Sequence, residues 1–243
     1  MQHSFYAYSR ILKAVALGGV AGLAMVFLAG CKTGVDDRIS RVYALGRHPG
    51  EPNKNRVEAL LQDEDRDVRA TALVVMETID KDRARRMAAV ALQDPDGMVR
   101  ATAVTLCGEG ADAATIRLLT ALAVSDPVWQ VRSRALEAID WSDDPAVREA
   151  FALALSDSVR HVRRAAFRAG VAHPGLLPVE RLSSLVVSDP DWENRVEAAR
   201  ALGSSKEPAA YAGLDAAVAD PNEFVRATAA QERRTLESAG VPR

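Results

Sequence analysis

Apolar and polar positions alternate along most of the chain with a period of about thirty-one residues. Six segments align without a gap: Asp63–Arg69, Asp94–Arg100, Asp126–Arg132, Asp157–Arg163, Asp189–Arg195 and Asp220–Arg226. In each, Asp and Arg stand six residues apart, and successive arginines are 31, 32, 31, 32 and 31 residues apart. Three positions after each arginine comes an alanine: Ala72, Ala103, Ala135, Ala166, Ala198 and Ala229. Before each aspartate runs an apolar-periodic stretch, such as Arg56–Gln62, Ala113–Val124 or Val147–Leu155, which predicts a first helix. Pro95, Pro127, Pro190 and Pro221 stand where that helix must stop. A second helix follows, with a stripe such as Val131, Ala135, Leu136 and Ile139 facing a core. No stretch alternates as a half-buried strand does, so the expected fold class is all-α.

The ends break the period. Residues 36–46 read as a degenerate half repeat, since Arg38 lies 31 residues before Arg69, and they would cover the apolar end of a stack. Arg47–Asn55 reads as a loop, the polar Gln231–Glu237 as a terminal cap, and Ser238–Arg243 as a frayed tail. Residues 1–30 have no acidic residue; Arg10 and Lys13 precede an apolar run of fifteen, Ala14–Leu28. That run is short for a membrane span, which needs roughly 20 apolar residues. It has the basic start and apolar middle of a secretory signal.

Leu28-Ala29-Gly30-Cys31 resembles the lipobox of bacterial lipoproteins. The resemblance implies cleavage before Cys31 and acylation of that cysteine, and Lys32 after it implies sorting to the outer membrane if the cell is Gram-negative. The repeated Asp-Pro-x-x-x-Val-Arg-x-x-Ala resembles HEAT repeats in their short, phycobilisome-lyase-like variant. That resemblance implies an α-solenoid, a right-handed superhelix of about six helix pairs with a partial N-terminal capping repeat. The expected organisation is a signal peptide at 1–30, a lipidated start and partial repeat at 31–52, the solenoid at 53–238 and a tail at 239–243. The pairs Asp63/Arg69, Asp94/Arg100, Asp126/Arg132, Asp157/Arg163, Asp189/Arg195 and Asp220/Arg226 read as a structural ladder. Each aspartate caps helix N–H groups, and each arginine can bridge a neighbouring aspartate.

Charge and composition narrow the function. The chain has 31 basic and 33 acidic residues and a net charge of −2; without residues 1–30 the balance is 29 minus 33, or −4. That argues against nucleic acid as a partner. Two cysteines exclude a disulfide framework or a thiolate zinc site; Cys107, on the core stripe, reads as a small hydrophobe. His48, His161 and His173 are followed by Pro49, Val162 and Pro174. The His-Glu pairs with which deoxyhypusine hydroxylase, a HEAT-repeat enzyme, binds iron are therefore missing. Gly108-Glu-Gly110 reads as a helix end, not a phosphate loop. No catalytic residue, metal or cofactor is expected.

By resemblance, the second helices line a concave face whose solvent positions lie one, two and five after each arginine. There Arg134, Arg164, Arg168 and Arg200 form a candidate basic stripe, with Trp129 and Trp192 at one rim. Arg and Trp are common interface anchors; simple solvation of the face is the plain alternative. HEAT-like DNA glycosylases also use Trp and Arg, and Trp141 adds a third tryptophan, but the export signal and acidic balance oppose a DNA substrate. The expectation is a non-catalytic, monomeric scaffold in a bacterial envelope, held at the membrane by its N-terminal lipid and binding a protein or peptide. The alternative is an accessory subunit for cofactor attachment, like phycobilin lyase HEAT proteins.

Overall fold

A computed structural model describes residues 34–107, 111–139 and 144–243. The segment read as a signal at 1–30, Cys31, Gly108-Glu-Gly110 and Trp141 lie outside them. The described residues form thirteen α-helices and no strand. They fall into two compact units that divide after Arg83.

In the first unit, α1 (Gly34–Gly46) is the expected half repeat, and α2 (Glu51–Ala59) runs into a 3-10 turn, Leu60–Gln62, before α3 (Arg66–Ile79). The loop expected at Arg47–Asn55 is cut short because α2 begins at Glu51, with Pro52 in its first turn. Proline there has no N–H to lose and its φ suits a helix start. Arg38 reaches Asp63 at 3.3 Å and also pairs with Glu64, so the half repeat supplies its own rung. Lys54 binds Asp80 at 2.9 Å, and Arg83 gathers Glu51, Glu58 and Asn55.

α4 (Lys81–Ala91) opens across the division, and helix pairs follow in strict order: α5 (Gly97–Cys107), α6 (Ala113–Ser125), α7 (Trp129–Ala138), α8 (Pro145–Ala154), α9 (Arg160–Ala172), α10 (Val179–Ser188), α11 (Trp192–Ser205), α12 (Ala210–Ala217) and α13 (Glu223–Ser238). Within the second unit, α5, α7, α9, α11 and α13 pack in sequence, each on the next. At the position before each arginine, Val99, Val131, Val162, Asn194 and Val225 are 0% exposed, as are the alanines three places after it. Alanine there lets helix axes approach, and the fixed offset returns the same two residues to every seam.

The ladder explains the register. In the second unit, Arg100, Arg132, Arg163 and Arg195 each point Nε and NH2 at both carboxylate oxygens of the next repeat's aspartate, at 2.7–3.0 Å. Each also donates from NH1 to the carbonyl of its own repeat's aspartate at 2.8–2.9 Å. The aspartates do not cap the helices, contrary to expectation. Their Oδ1 accepts the N–H two residues on, at 2.8–2.9 Å, and so shapes the turn. The N-cap falls on the residue two after the ladder aspartate, where the Asp191 and Asn222 side chains accept helix N–H groups.

The C-terminal tail differs from expectation as well. Gly240 adopts φ +73°, Val241 N–H donates to Leu236 O, and Gly240 N–H donates to Glu237 O. This is a Schellman closure, which glycine accommodates without strain. Tyr211 Oη then donates to Val241 O at 3.1 Å, and Arg243 lies over the Tyr211 ring.

Asp189 is the most enclosed ladder carboxylate, its side chain 0% exposed against 9% for Arg163. Arg163→Ala should therefore lower unfolding free energy by about 3 kcal/mol or more, because the carboxylate stays buried without its partner. A urea titration of wild type and variant reads the difference directly. Burial pushes the Asp157 and Asp220 carboxyls up, but hydrogen bonds from Arg132 and Arg195, backbone N–H groups and neighbouring guanidinium charges hold both below the usual range. A carboxyl depressed in the folded state stabilises above its unfolded value of about 3.9 and loses that contribution as pH falls through its folded value. Urea midpoints should stay level from neutral pH to about 5 and decline below about 4, and Asp157→Asn should flatten that decline.

Candidate interaction face

The side chains expected to meet a partner lie on α7, α9 and α11, all in the second unit. Their helical offset from the ladder arginine decides their exposure. One place after it, Ala101, Ser133 and Val196 are buried; two places after it, so are Thr102 and Ala165. These positions pack between neighbouring second helices and are not the solvent positions the sequence suggested. Five places after it, Thr105, Glu137, Arg168, Arg200 and Gln231 are exposed, and these form the outward row.

The basic stripe exists as a row of residues, but Arg164 and Arg168 meet acids of the next repeat and Arg200 one of its own helix. Arg164 is half-buried: Nε bonds Asn194 Oδ1 at 3.1 Å, and NH2 bonds Asp191 Oδ1 at 3.1 Å and Glu193. Arg168 and Arg200 share the Glu197 carboxylate, each at 3.4 Å. Arg160, which the sequence did not single out, binds the other oxygen of Asp191 at 2.9 Å. Arg134 donates to Thr105 Oγ1 at 3.0 Å and Ala101 O at 3.3 Å, bridging to the preceding helix. The face is a mixed-charge lattice, not a cationic strip.

The tryptophans sit at the starts of α7 and α11, and both stack on the following repeat. Trp129 lies on His161 with centroids 4.9 Å apart, and Trp192 on Phe224 at 5.5 Å. Trp192 remains 41% exposed and Phe224 57%, so the second stack keeps open aromatic surface at the rim. Phe224 was not foreseen: it follows its aspartate by four residues where Trp192 follows by three, so a fixed-column comparison does not pair them.

Burial pushes the Cys107 thiol up to about 11, with the Asp112 charge adding, which keeps it protonated and unreactive. Among the described residues no group of three or more His, Cys, Asp or Glu converges as metal ligands would. No helix among them is long and apolar enough to cross a membrane.

Burial and partner number order the cost of losing each arginine. Arg168→Ala and Arg200→Ala, with exposed heads, should each change stability by less than about 1 kcal/mol. Arg164→Ala should cost about 1–3 kcal/mol, because it leaves the 0%-exposed Asn194 side chain short of a partner. Thermal melts of the three variants, read side by side, check the order.

Comparison with known proteins agrees with this architecture. The family described as HEAT repeats matches residues 53–140 and 158–233. Among solved structures, the chain is similar to YibA of E. coli, with TM-score 0.57 and 19% identity over 86% of this chain and 80% of that one. It is also similar to an archaeal HEAT-like repeats protein from Thermococcus onnurineus NA1, with TM-score 0.55 and 16% identity over 83% and 92%. An engineered protein aligns with TM-score 0.56 and 21% identity over 92% of this chain and 69% of its own. At these identities the likeness is one of fold. Among curated proteins none matches. With the family spanning both stretches of the repeated motif, the chain belongs to the HEAT-repeat family.

Proposed function

We propose that the protein is a non-catalytic, membrane-tethered scaffold of the bacterial envelope that holds a protein or peptide partner on its row of second helices. The observation that carries this reading is the ladder: bidentate pairs fix the spacing of successive helices, so the side chains five places after each arginine stand on a face of set geometry. Such a face loses little freedom when it binds. The buried, protonated thiol of Cys107 supports a role without chemistry.

The tether follows from Cys31 and the basic-then-apolar segment before it. Each acyl methylene buried in lipid contributes about 0.8 kcal/mol, so more than one chain gives stable anchoring. Helix α1 begins at Gly34, three residues after Cys31. At most about 10 Å of extended chain then separates the acyl group from the first helix.

Mass spectrometry of the protein extracted from its membrane should show a chain starting at an acylated Cys31, and Cys31→Ala should leave the membrane fraction. Crosslinking in the native cell should then recover a specific partner with the anchored form. A full-length chain without acyl groups would overturn the tether, and a bound chromophore in the purified protein's absorbance would overturn the scaffold.

A further inference from the structure

We propose that Glu232 is a proton-operated latch between α11 and α13. Protonated, it lets the two helices close over Gly203; ionised, it loosens α13 and with it the Arg200–Gln231 stretch of the outward row. The inference goes beyond the proposed function, because it concerns this seam whether or not a partner binds.

The repeat reserves the place of Glu232 for apolar side chains. Six residues after the preceding ladder arginines stand Val75, Leu106, Ala138, Ala169 and Ala201; six after Arg226 stands Glu232. α13 packs on α11, and the meeting is close at this point. A Cβ on Gly203 would stand 2.8 Å from the Cβ of Glu232 and 2.9 Å from its carboxyl carbon. Side chains do not approach that closely, so a residue larger than glycine would force the two helices apart. The carboxyl group therefore lies half-buried in the seam, folded over a buried glycine.

A carboxylate taken partly out of water needs donors. Among the described residues none donates to Glu232, and the charge that steadies it is that of Arg200. Arg200 is itself shared, since NH1 lies 3.4 Å from Glu197 and its side chain is half exposed. The other charges about the seam are committed elsewhere. On α11, Arg195 grips Asp220, Glu193 holds Arg164, and Glu197 holds Arg168 as well as Arg200. Lys206 is exposed at the end of that helix. On α12, Asp215 binds Arg233 at 3.2 Å. On α13 itself, Arg226 is fixed to its own turn, Arg234 bonds Gln231, and Glu237 takes Arg243; Glu223 is exposed in the first turn.

Burial holds the Glu232 carboxyl above the usual range, and the Arg200 charge offsets part of that rise. A carboxyl raised in the folded state costs nothing below its unfolded value of about 4.3 and costs most above its folded value. Asp220, in the same seam, runs the other way. Burial is outweighed there by the bonds from Arg195 and the Asn222 N–H, so its carboxyl is held low. It keeps its grip on Arg195 until pH falls through that depressed value. Between the two values Glu232 is protonated while Asp220 is still ionised, and the seam is tightest. Mild acid therefore firms the join between α11 and α13, whereas stronger acid undoes the rung beside it.

Hydrogen–deuterium exchange of the full-length chain, read by mass spectrometry on peptides from α13 and from α7, tests the latch. Wild type and Glu232→Gln are compared at one pH at a time, so that intrinsic exchange rates cancel. At neutral pH the variant should protect α13 more than about twofold better than wild type. Near pH 4.5, about where the unfolded carboxyl titrates, the two should converge. Peptides from α7 should not change at either pH. Arg200→Gln, which removes the offsetting charge, should lower α13 protection at neutral pH in the wild-type background and leave it unchanged in the Glu232→Gln background. Equal protection of α13 at neutral pH would overturn the latch. So would a gain of the same size at both pH values, which marks a packing effect of glutamine, or a gain shared by α7.

Discussion

The bidentate arginine–aspartate pair between successive repeats is the constraint from which the rest of the second unit follows. One carboxylate has two tasks at once. Its Oδ1 accepts a backbone N–H that bends the turn between helices, and both oxygens take the guanidinium of the preceding repeat. The arginine is equally committed, with NH1 on one turn and its fork on the next. Neither residue can shift without breaking bonds in two repeats. The length of each repeat and the offset of its second helix are thereby fixed, and valine and alanine can recur at the same places in every seam. A buried ion pair gains little net energy once desolvation is counted. Its value here is geometric: it specifies which turn meets which helix.

That economy also shapes the outer face. The arginines five places after the ladder position share Glu197, and Arg164 is enclosed by Asp191, Glu193 and Asn194. Arg164 and Arg168, which read as part of a stripe along the sequence, are met by acids of the next repeat, 27 to 29 positions away, and Arg200 by an acid of its own helix. Exposed pairs of this kind stabilise weakly, but together they hold long side chains in place. A partner meeting this face meets an ordered mosaic of both signs and two aromatic stacks. It does not meet a diffuse positive field.

Much of this architecture was legible in the sequence because the ladder is written at fixed offsets. Asp and Arg six apart, an alanine three further on and a period of 31 or 32 gave the helix pairs, the half repeat at Arg38 and the buried place of Cys107. What resisted reading depends on pairing across repeats or on local backbone geometry. Nothing near Arg164 in sequence reveals that its acceptors come from 191–194. The stack of Trp192 on Phe224 hides behind a one-residue offset. The helix at Glu51 looked like a loop because Pro and Asn were weighed by composition, whereas proline in a first turn favours a helix. The closure at Gly240 needs one glycine with positive φ, which a short polar tail does not advertise.

The one place where the pattern breaks shows how a repetitive array acquires individuality. Five of the six residues preceding a ladder arginine are valine; the other is Asn194, and it is as fully buried as they are. A buried amide without partners would be costly, yet this one is satisfied. Its Nδ2 donates to Arg160 O at 3.1 Å, and its Oδ1 accepts from Arg164 Nε at 3.1 Å. Arg160 and Arg164 in turn hold Asp191, which caps α11, so the amide links the apolar seam, the helix start and the outward face in a single network. Valine at this position would fit the stack but could not distinguish the seam between α9 and α11 from its neighbours. With asparagine, the seam gains one bond to the carbonyl of Arg160 and one from Arg164. The residue that departs from the repeat therefore gives the seam between α9 and α11 a polar link that the valine seams lack, beneath the arginines that the sequence marks for binding.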